Sequence, residues 1–163
     1  MNILLLGSGG REHAIARALR RDDAVDVLYI APGNPGLAAL GTLVDLDILD
    51  GEAVASFAAA RGVDLVVVGP EAPLVAGVAD AVREAGIDVF GPSAEAARLE
   101  GSKAFAKEVM ASANVPTAGS RPCMTLAEVE AALGVFGAPY VVKDDGLAAG
   151  KGVVVTNEKS EAL

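Results

Sequence analysis

Residues 2–19 read NILLLGSGGREHAIARAL, and the fold class follows from how that stretch is punctuated. Residues 3–6 are a strand-sized apolar run, Gly7-Ser8-Gly9-Gly10 is a turn, and Ala14, Ile15, Ala18 and Leu19 form a helical stripe. Strand, glycine turn and helix together make an anion site. The free N–H groups at the helix start, its dipole and Arg11 all favour negative charge beside Gly9 and Gly10. His13, in the first turn, either packs and caps locally or takes a catalytic part. A dinucleotide fingerprint would place a third glycine where Glu12 stands and an acid at the end of the next strand. That strand, residues 25–30, instead enters Ala31-Pro32-Gly33-Asn34-Pro35-Gly36, so an NAD ribose finds no carboxylate. Asn34 reads two ways, as a partner for a sugar hydroxyl or as ordinary turn chemistry.

The same grammar repeats downstream. Residues 43–48 allow a short strand, and Asp50 caps a helix that carries Val54, Phe57 and Ala58 inward and closes at Gly62. Residues 64–68 are apolar on both faces, as a central parallel strand is, and lead into Gly69-Pro70-Glu71. Leu74, Val75, Val78 and Val82 predict one helix ending at Gly86, and residues 87–90 predict a further strand that ends at Gly91. A run of βα units predicts an α/β, right-handed, doubly wound parallel sheet, with the turns at Gly7, Gly33, Gly69 and Gly91 on its carboxyl edge, where ligands bind. Glu71 either complements a helix dipole there or accepts from an amine or hydroxyl.

Ser102 predicts a helix cap, with Phe105 and Val109 inward and Lys103 and Lys107 on another face. Composition turns loop-like between Asn114 and Pro122, which sets a domain boundary: residues 1–120 form the α/β domain and residues 121–163 begin a second one. Thr125 and Glu128 are a capping box for a helix with Val129, Leu133 and Phe136 inward. Residues 140–156, YVVKDDGLAAGKGVVVT, then predict a hairpin with a glycine tip. Lys143 lies on the incoming strand and Lys151 beside the tip, while Gly146, Gly150 and Gly152, with Leu147, Ala148 and Ala149, let backbone N–H groups approach a polyphosphate. Three residues separate Gly146 from Gly150 and a strand follows, so this is not a Walker A loop. It is either a flap over nucleotide phosphates or a surface hairpin with solvated lysines.

Bulk properties narrow the partners. The 163 residues, 52% apolar and 4% aromatic, suit a core of small side chains. A net charge of −9, from 22 acids and 13 bases, argues against nucleic acid and anionic membrane, leaving small molecules. With Cys123 the single cysteine, no internal disulfide is available and a reducing, cytoplasmic setting is expected. Neither a signal peptide nor a membrane span is apparent, and there is no metal-ligand cluster.

Four segments match one family in order and spacing: GSGGREHA at 7–14, APGNPG at 31–36, VVGPEAPLV at 67–75, and EGSKAF at 100–105 with VVKDDGLAAGKGV at 141–153. Together they resemble the amino-terminal portion of the phosphoribosylamine–glycine ligases (glycinamide ribonucleotide synthetases), ATP-grasp enzymes of purine biosynthesis, over essentially the whole chain. The resemblance implies a Rossmann-like domain followed by the start of an ATP-grasp lid. It also implies a ligase reaction in which ATP phosphorylates glycine and the amine of 5-phosphoribosylamine attacks the acyl phosphate. Carried over by position, Gly9, Gly10 and Arg11 would face the substrate phosphate, with Asn34 and Glu71 near the ribose or amine. Lys103, Lys143, Gly146, Gly150, Lys151 and Gly152 would serve ATP, which the full-length family uses with Mg2+ or Mn2+.

Two departures qualify what is carried over. Asp144 stands where the family usually has a small residue, and strand alternation is expected to turn it away from Lys143. Family members are also much longer, so the adenine contacts, the acidic metal ligands and any complete catalytic set are expected beyond Leu163. This chain alone is expected to be inactive. The full-length family is expected to be monomeric, and the uncovered hairpin edge in this chain to be mobile or to associate with another copy. Two other classes stand beside the ligase: a dinucleotide-dependent oxidoreductase domain and a non-catalytic phosphosugar-binding module.

Overall fold

The chain is described from a computed structural model covering residues 1–148 and 150–163. Ala149, which the sequence reading includes in the flap, lies outside the described residues. Two compact units, Met1–Arg98 and Leu99–Leu163, make up the chain.

The first unit is built on β1 (Asn2–Gly7), whose Ile3, Leu4, Leu5 and Leu6 are at most 1% exposed. Such burial requires neighbours on both edges and both faces. At its edges β1 pairs in parallel with β2 (Val27–Pro32) and β4 (Leu65–Val68). Adding β3 (Thr42–Leu43) beyond β2 and β5 (Asp88–Phe90) beyond β4 gives a five-stranded parallel sheet in the order β3-β2-β1-β4-β5. The period-two alternation of β1 sorts the core into two layers. Leu4 and Leu6 pack with residues of α2 (Gly51–Ala60) and α4 (Val78–Glu84), among them Val54, Ala58, Val78 and Val82. Ile3 and Leu5 pack on the other face with Ala16 of α1 (Gly10–Leu19), Leu28, Ile30 and Leu37. This is the doubly wound α/β sheet that the repeating βα units predict. Because the strand order reverses at β1, its carboxyl end and that of β4 form the switch point where such sheets bind ligands.

Several details differ from expectation. One helix from Leu74 through Val82 is predicted, but α3 (Glu71–Val75) and α4 are separate, because Gly77 adopts φ 86° and its N–H closes α3 on Leu74 while its carbonyl opens α4. In α1 the inward residues are Glu12 and Ala16, with Ile15 and Leu19 half-buried, while Ala14 and Ala18 face solvent. An additional helix, α5 (Ala94–Gly101), follows Ser93, whose hydroxyl accepts from Ala96 N–H. The division after Arg98 precedes the loop-like 119–122 segment where composition sets the boundary. The chain just before that segment is held within the second unit: Lys107 Nζ donates to Thr117 Oγ1 and to the Ala118 carbonyl, at 2.7 and 2.5 Å.

The second unit contains α6 (Lys103–Ser112), α7 (Leu126–Phe136), the antiparallel hairpin β6 (Tyr140–Lys143) and β7 (Val153–Thr156), and α8 (Lys159–Ala162). The caps follow the expected chemistry. Ser102 Oγ accepts from Phe105 N–H, and Thr125 and Glu128 form the reciprocal capping box. In α7 Ala132 and Leu133 are buried, whereas Phe136, expected inward, is exposed.

The hairpin leaves Val141, Val153, Val154 and Val155 exposed, in contrast to β1. Few buried apolar contacts predict low local stability. Amide hydrogens of β6 and β7 should therefore exchange faster than those of β1 by orders of magnitude in hydrogen-exchange mass spectrometry. Equal protection in a demonstrated monomer would contradict this.

Candidate functional site

At the switch point the backbone leaves β1 at Gly7, with φ 126°, and enters α1 at Gly10. Its flanking strands keep step: Gly33 N–H donates to the Gly7 carbonyl and Gly69 N–H to the Leu6 carbonyl, so the turns after β2 and β4 lie on either side of the first glycine turn. Asn34 ties two of these turns together. Its Nδ2 donates to the Ser8 carbonyl at 2.7 Å, and its Oδ1 accepts from Gly36 N–H at 2.8 Å and Leu37 N–H at 3.1 Å. The turn-forming reading of Asn34 describes its present partners.

Glu12 is the buried charge of this edge, at 3% exposure. Its Oε2 accepts from Gly9 N–H at 2.7 Å and its Oε1 from Arg11 Nε at 3.2 Å. Two glycines make room for it. A Cβ at Gly69 would lie 2.6 Å from Glu12 Cγ and 2.7 Å from Cδ, and one at Gly7 would lie 2.5 Å from Cγ. Arg11 continues outward: its Nη1 donates to Glu71 Oε1 at 2.9 Å, with the two side chains 55% and 42% exposed. Hydrogen bonding to Arg11, aided by the first-turn backbone, holds the Glu71 carboxyl below the usual glutamate range, and the two carboxylates raise the Arg11 value. Glu71 is thus an anion at neutral pH, suited to accept from an amine or hydroxyl. Gly10 faces open space, since nothing lies within 4 Å of where a Cβ would be. His13 lies beside Gly36, within 3.8 Å of the Cβ position there.

In the second unit, Asp145 holds the flap to the start of α6. Its Oδ2 accepts from Ser102 Oγ at 2.8 Å and its Oδ1 from Ala104 N–H at 3.0 Å, while Lys103 Nζ donates to the Gly146 carbonyl at 2.6 Å. The Ala104 amide first, and then the Ser102 hydroxyl, hold the Asp145 carboxyl below the usual aspartate range. The flap turns through Gly146 and Gly150, with φ 94° and 77°, and closes where Lys151 N–H meets the Ala148 carbonyl and Asp144 N–H meets the Gly152 carbonyl. Regular pairing ends at Lys143, so alternation does not govern Asp144; its Oδ2 lies 2.8 Å from where a Cβ on Gly152 would be. Among the described residues the Lys143 and Lys151 ammonium groups have no hydrogen bond or ion pair, and no three His, Cys, Asp or Glu side chains are grouped to hold a metal.

Residues 1–100 match the family model for the phosphoribosylglycinamide synthetase N domain, and residues 101–163 match that for the ATP-grasp (A) domain of the same synthetase. The chain belongs to the phosphoribosylglycinamide synthetase family. It is 66% identical over 162 residues to phosphoribosylamine–glycine ligase of Streptomyces coelicolor, covering 99% of this chain and 39% of that protein. With the Leifsonia xyli ligase it shares 58% over 164 residues, covering 100% and 39%. The crystal structure of the Thermotoga maritima ligase superposes with a TM-score of 0.79 at 32% identity, over 99% of this chain and 37% of that one. The chain therefore spans about 39% of the length of the curated relatives it matches.

Of the residues the family motif singles out, Gly9, Gly10, Arg11, Asn34 and Glu71 meet at one sheet edge, and Lys103 meets Gly146. Glu12 and Asp145 escaped the sequence reading as site residues. Glu12 carries a readable signal, an acid three residues after the Gly9 cap; Asp145 carries none, since its partners are 41 and 43 residues away. Among the described residues no helix is long and apolar enough to cross a membrane.

Two consequences are measurable. Gly69→Ala should lower stability by about 1–3 kcal/mol, seen as a lower urea midpoint with unchanged slope, because the new methyl meets the Glu12 side chain. The Asp145 carboxyl, followed by NMR, should titrate below the usual aspartate range, and Ser102→Ala should move it upward. As the folded value is depressed, its stabilisation is present above the ordinary aspartate value and is lost as pH falls through the depressed one.

Proposed function

We propose that this chain carries the phosphosugar-amine site and part of the nucleotide-phosphate site of a ligase that joins glycine to 5-phosphoribosylamine, yielding glycinamide ribonucleotide, ADP and phosphate. The observation that carries the reading is the Arg11–Glu71 pair beside the Gly9-Gly10 turn, at the switch point of the sheet. The substrate offers each member a partner of opposite character, a phosphate for the guanidinium and an amine for the carboxylate. The exchange costs little, because a half-exposed ion pair contributes only about 0–1 kcal/mol in water. Asn34, next to Ser8, lies where the ribose would run.

In the proposed reaction a glycine carboxylate oxygen takes the γ-phosphoryl group of ATP and ADP leaves. The amine nitrogen then attacks the acyl carbon of glycyl phosphate, forming the C–N bond, expelling phosphate and losing a proton. This chain's part in the first step is phosphate neutralisation: Lys143 and Lys151 have no competing partner among the described residues beside a glycine turn, and Lys103 lies against the turn's first glycine. The ammonium groups of Lys103, Lys143 and Lys151 suit the phosphates of ATP, which the proposed reaction would use with Mg2+ or Mn2+; among the described residues no three His, Cys, Asp or Glu side chains are grouped to hold that ion. A cytoplasmic setting agrees with the single cysteine.

Calorimetric titration with glycinamide ribonucleotide, run beside NADH, tests the reading. Saturable binding of the ribonucleotide, weakened about 10- to 100-fold by Arg11→Ala, is expected from the loss of a charge-assisted phosphate contact. Binding of NADH in place of the ribonucleotide would overturn it.

A further inference from the structure

Capping accounts for an acid at position 12, where Glu12 Oε2 takes the N-cap Gly9 N–H, but not for its enclosure: Glu12 is the most enclosed ionisable side chain of the sheet edge, at 3% exposure. A carboxylate removed from water is costly unless both its oxygens are engaged and a cation is near. Both conditions hold. Oε2 takes Gly9 N–H and Oε1 takes Arg11 Nε. The seat is shaped for the side chain by Gly7 and Gly69, at each of which a Cβ would fall within 2.8 Å of Glu12 Cδ.

We infer that Glu12 is a positioning residue for the phosphate site, its carboxylate fixing the Arg11 guanidinium and the Gly9 turn in the arrangement that receives the phosphate of the phosphosugar. The inference rests on the proposed function. By taking Nε, Glu12 sets the plane of the guanidinium and leaves the Nη groups directed away from the seat. Arg11 has five N–H donors, of which Nε and one on Nη1 are engaged, so three remain for an incoming anion. The two carboxylates outweigh the single guanidinium, so a phosphate must displace one of them. Glu12 is enclosed and bonded through both oxygens, whereas Glu71 is 42% exposed and bonded to Arg11 through one. The phosphate therefore exchanges with Glu71, and Glu12 stays in place through binding.

Glu12→Gln is the test, in the chain as it stands, with glycinamide ribonucleotide as the probe and amide chemical shifts as the readout so that millimolar binding remains measurable. The glutamine oxygen can still accept from Gly9, but its NH2 then faces the Arg11 Nε–H, donor against donor. Affinity should fall about tenfold or more in the wild-type background and by less than about twofold in an Arg11→Ala background, since Glu12 acts through Arg11. A helix-capping role alone would lower the melting temperature while leaving affinity unchanged below it, or would weaken both backgrounds equally; either result overturns the inference. Should Glu12→Gln not fold, Glu12→Asp decides. It keeps the charge but withdraws the carboxylate by one methylene, and unchanged affinity there overturns the inference too. Absence of ribonucleotide binding by the wild-type chain would instead sink the functional reading itself, and this inference with it.

Discussion

One carboxylate sets the conditions that the rest of the sheet edge meets. Because Glu12 is enclosed, Gly7 and Gly69 must lack side chains, the Gly9 amide must point inward, and a guanidinium must sit at position 11. These requirements fall on three places in the fold: the end of β1, the turn after β4 and the start of α1. The carboxylate thus ties the turns after β1 and β4 to one helix start. Asn34 does the same for the turn after β2 from the outside, through a neutral amide that needs no counter-charge. Both bonds to Glu12 are charge-assisted, the class that contributes most per bond and is most costly to leave unmade.

The fold was legible because its signals are local. Four consecutive apolar residues at 3–6, closed by a glycine turn and followed by a helical stripe, read as a buried strand, and the glycine turns that follow the strands mark the carboxyl edge. Capping was equally readable, as Asp50, Ser102 and Thr125 each accept from a backbone N–H three residues on. What was not legible depends on backbone angles or distant partners. Gly77 inside an apolar stripe looks like a tolerated helix residue until its positive φ splits the helix. Phe136 lies on the predicted inward face of α7, but facing inward buries a side chain only where something packs against it, and the described residues leave it exposed.

The site itself was half legible. Residue types and motif order placed Arg11, Asn34, Glu71 and Lys103 correctly on elements, but motif matching names residues without saying which are bound to one another. The bonds change the chemistry. Arg11 is not a free cation awaiting phosphate; it is already shared by two carboxylates. Against the dinucleotide pattern Glu12 marks only a missing third glycine, and in the fold its meaning is the reverse: the space a dinucleotide fingerprint keeps clear is here filled by an anion. Asp145 is likewise an acid at a helix N-terminus, that of α6, where its ionised form is favoured by the backbone amide of Ala104.

The two units differ in how they hold charge ready. In the first, Arg11, the cation proposed to face the phosphate, is pre-paired, so an arriving anion would gain the difference between its own contact with Arg11 and the contact it displaces. That arrangement discriminates: a ligand lacking an amine or hydroxyl for the released Glu71 leaves a carboxylate without its partner, while a ligand that supplies both groups satisfies both charges. In the second, Lys143 and Lys151 are unpaired among the described residues, beside an exposed turn. Here the Coulomb attraction is not reduced by a resident acid bonded to the lysines, although Asp144 lies within the same turn and subtracts from it. Selectivity in such a flap must come from backbone approach at Gly146 and Gly150, which is what their positive φ values permit, rather than from charge. On the proposed function, pre-pairing at the sheet edge and its absence among the described residues of the flap would assign discrimination to the first unit and electrostatic attraction to the second.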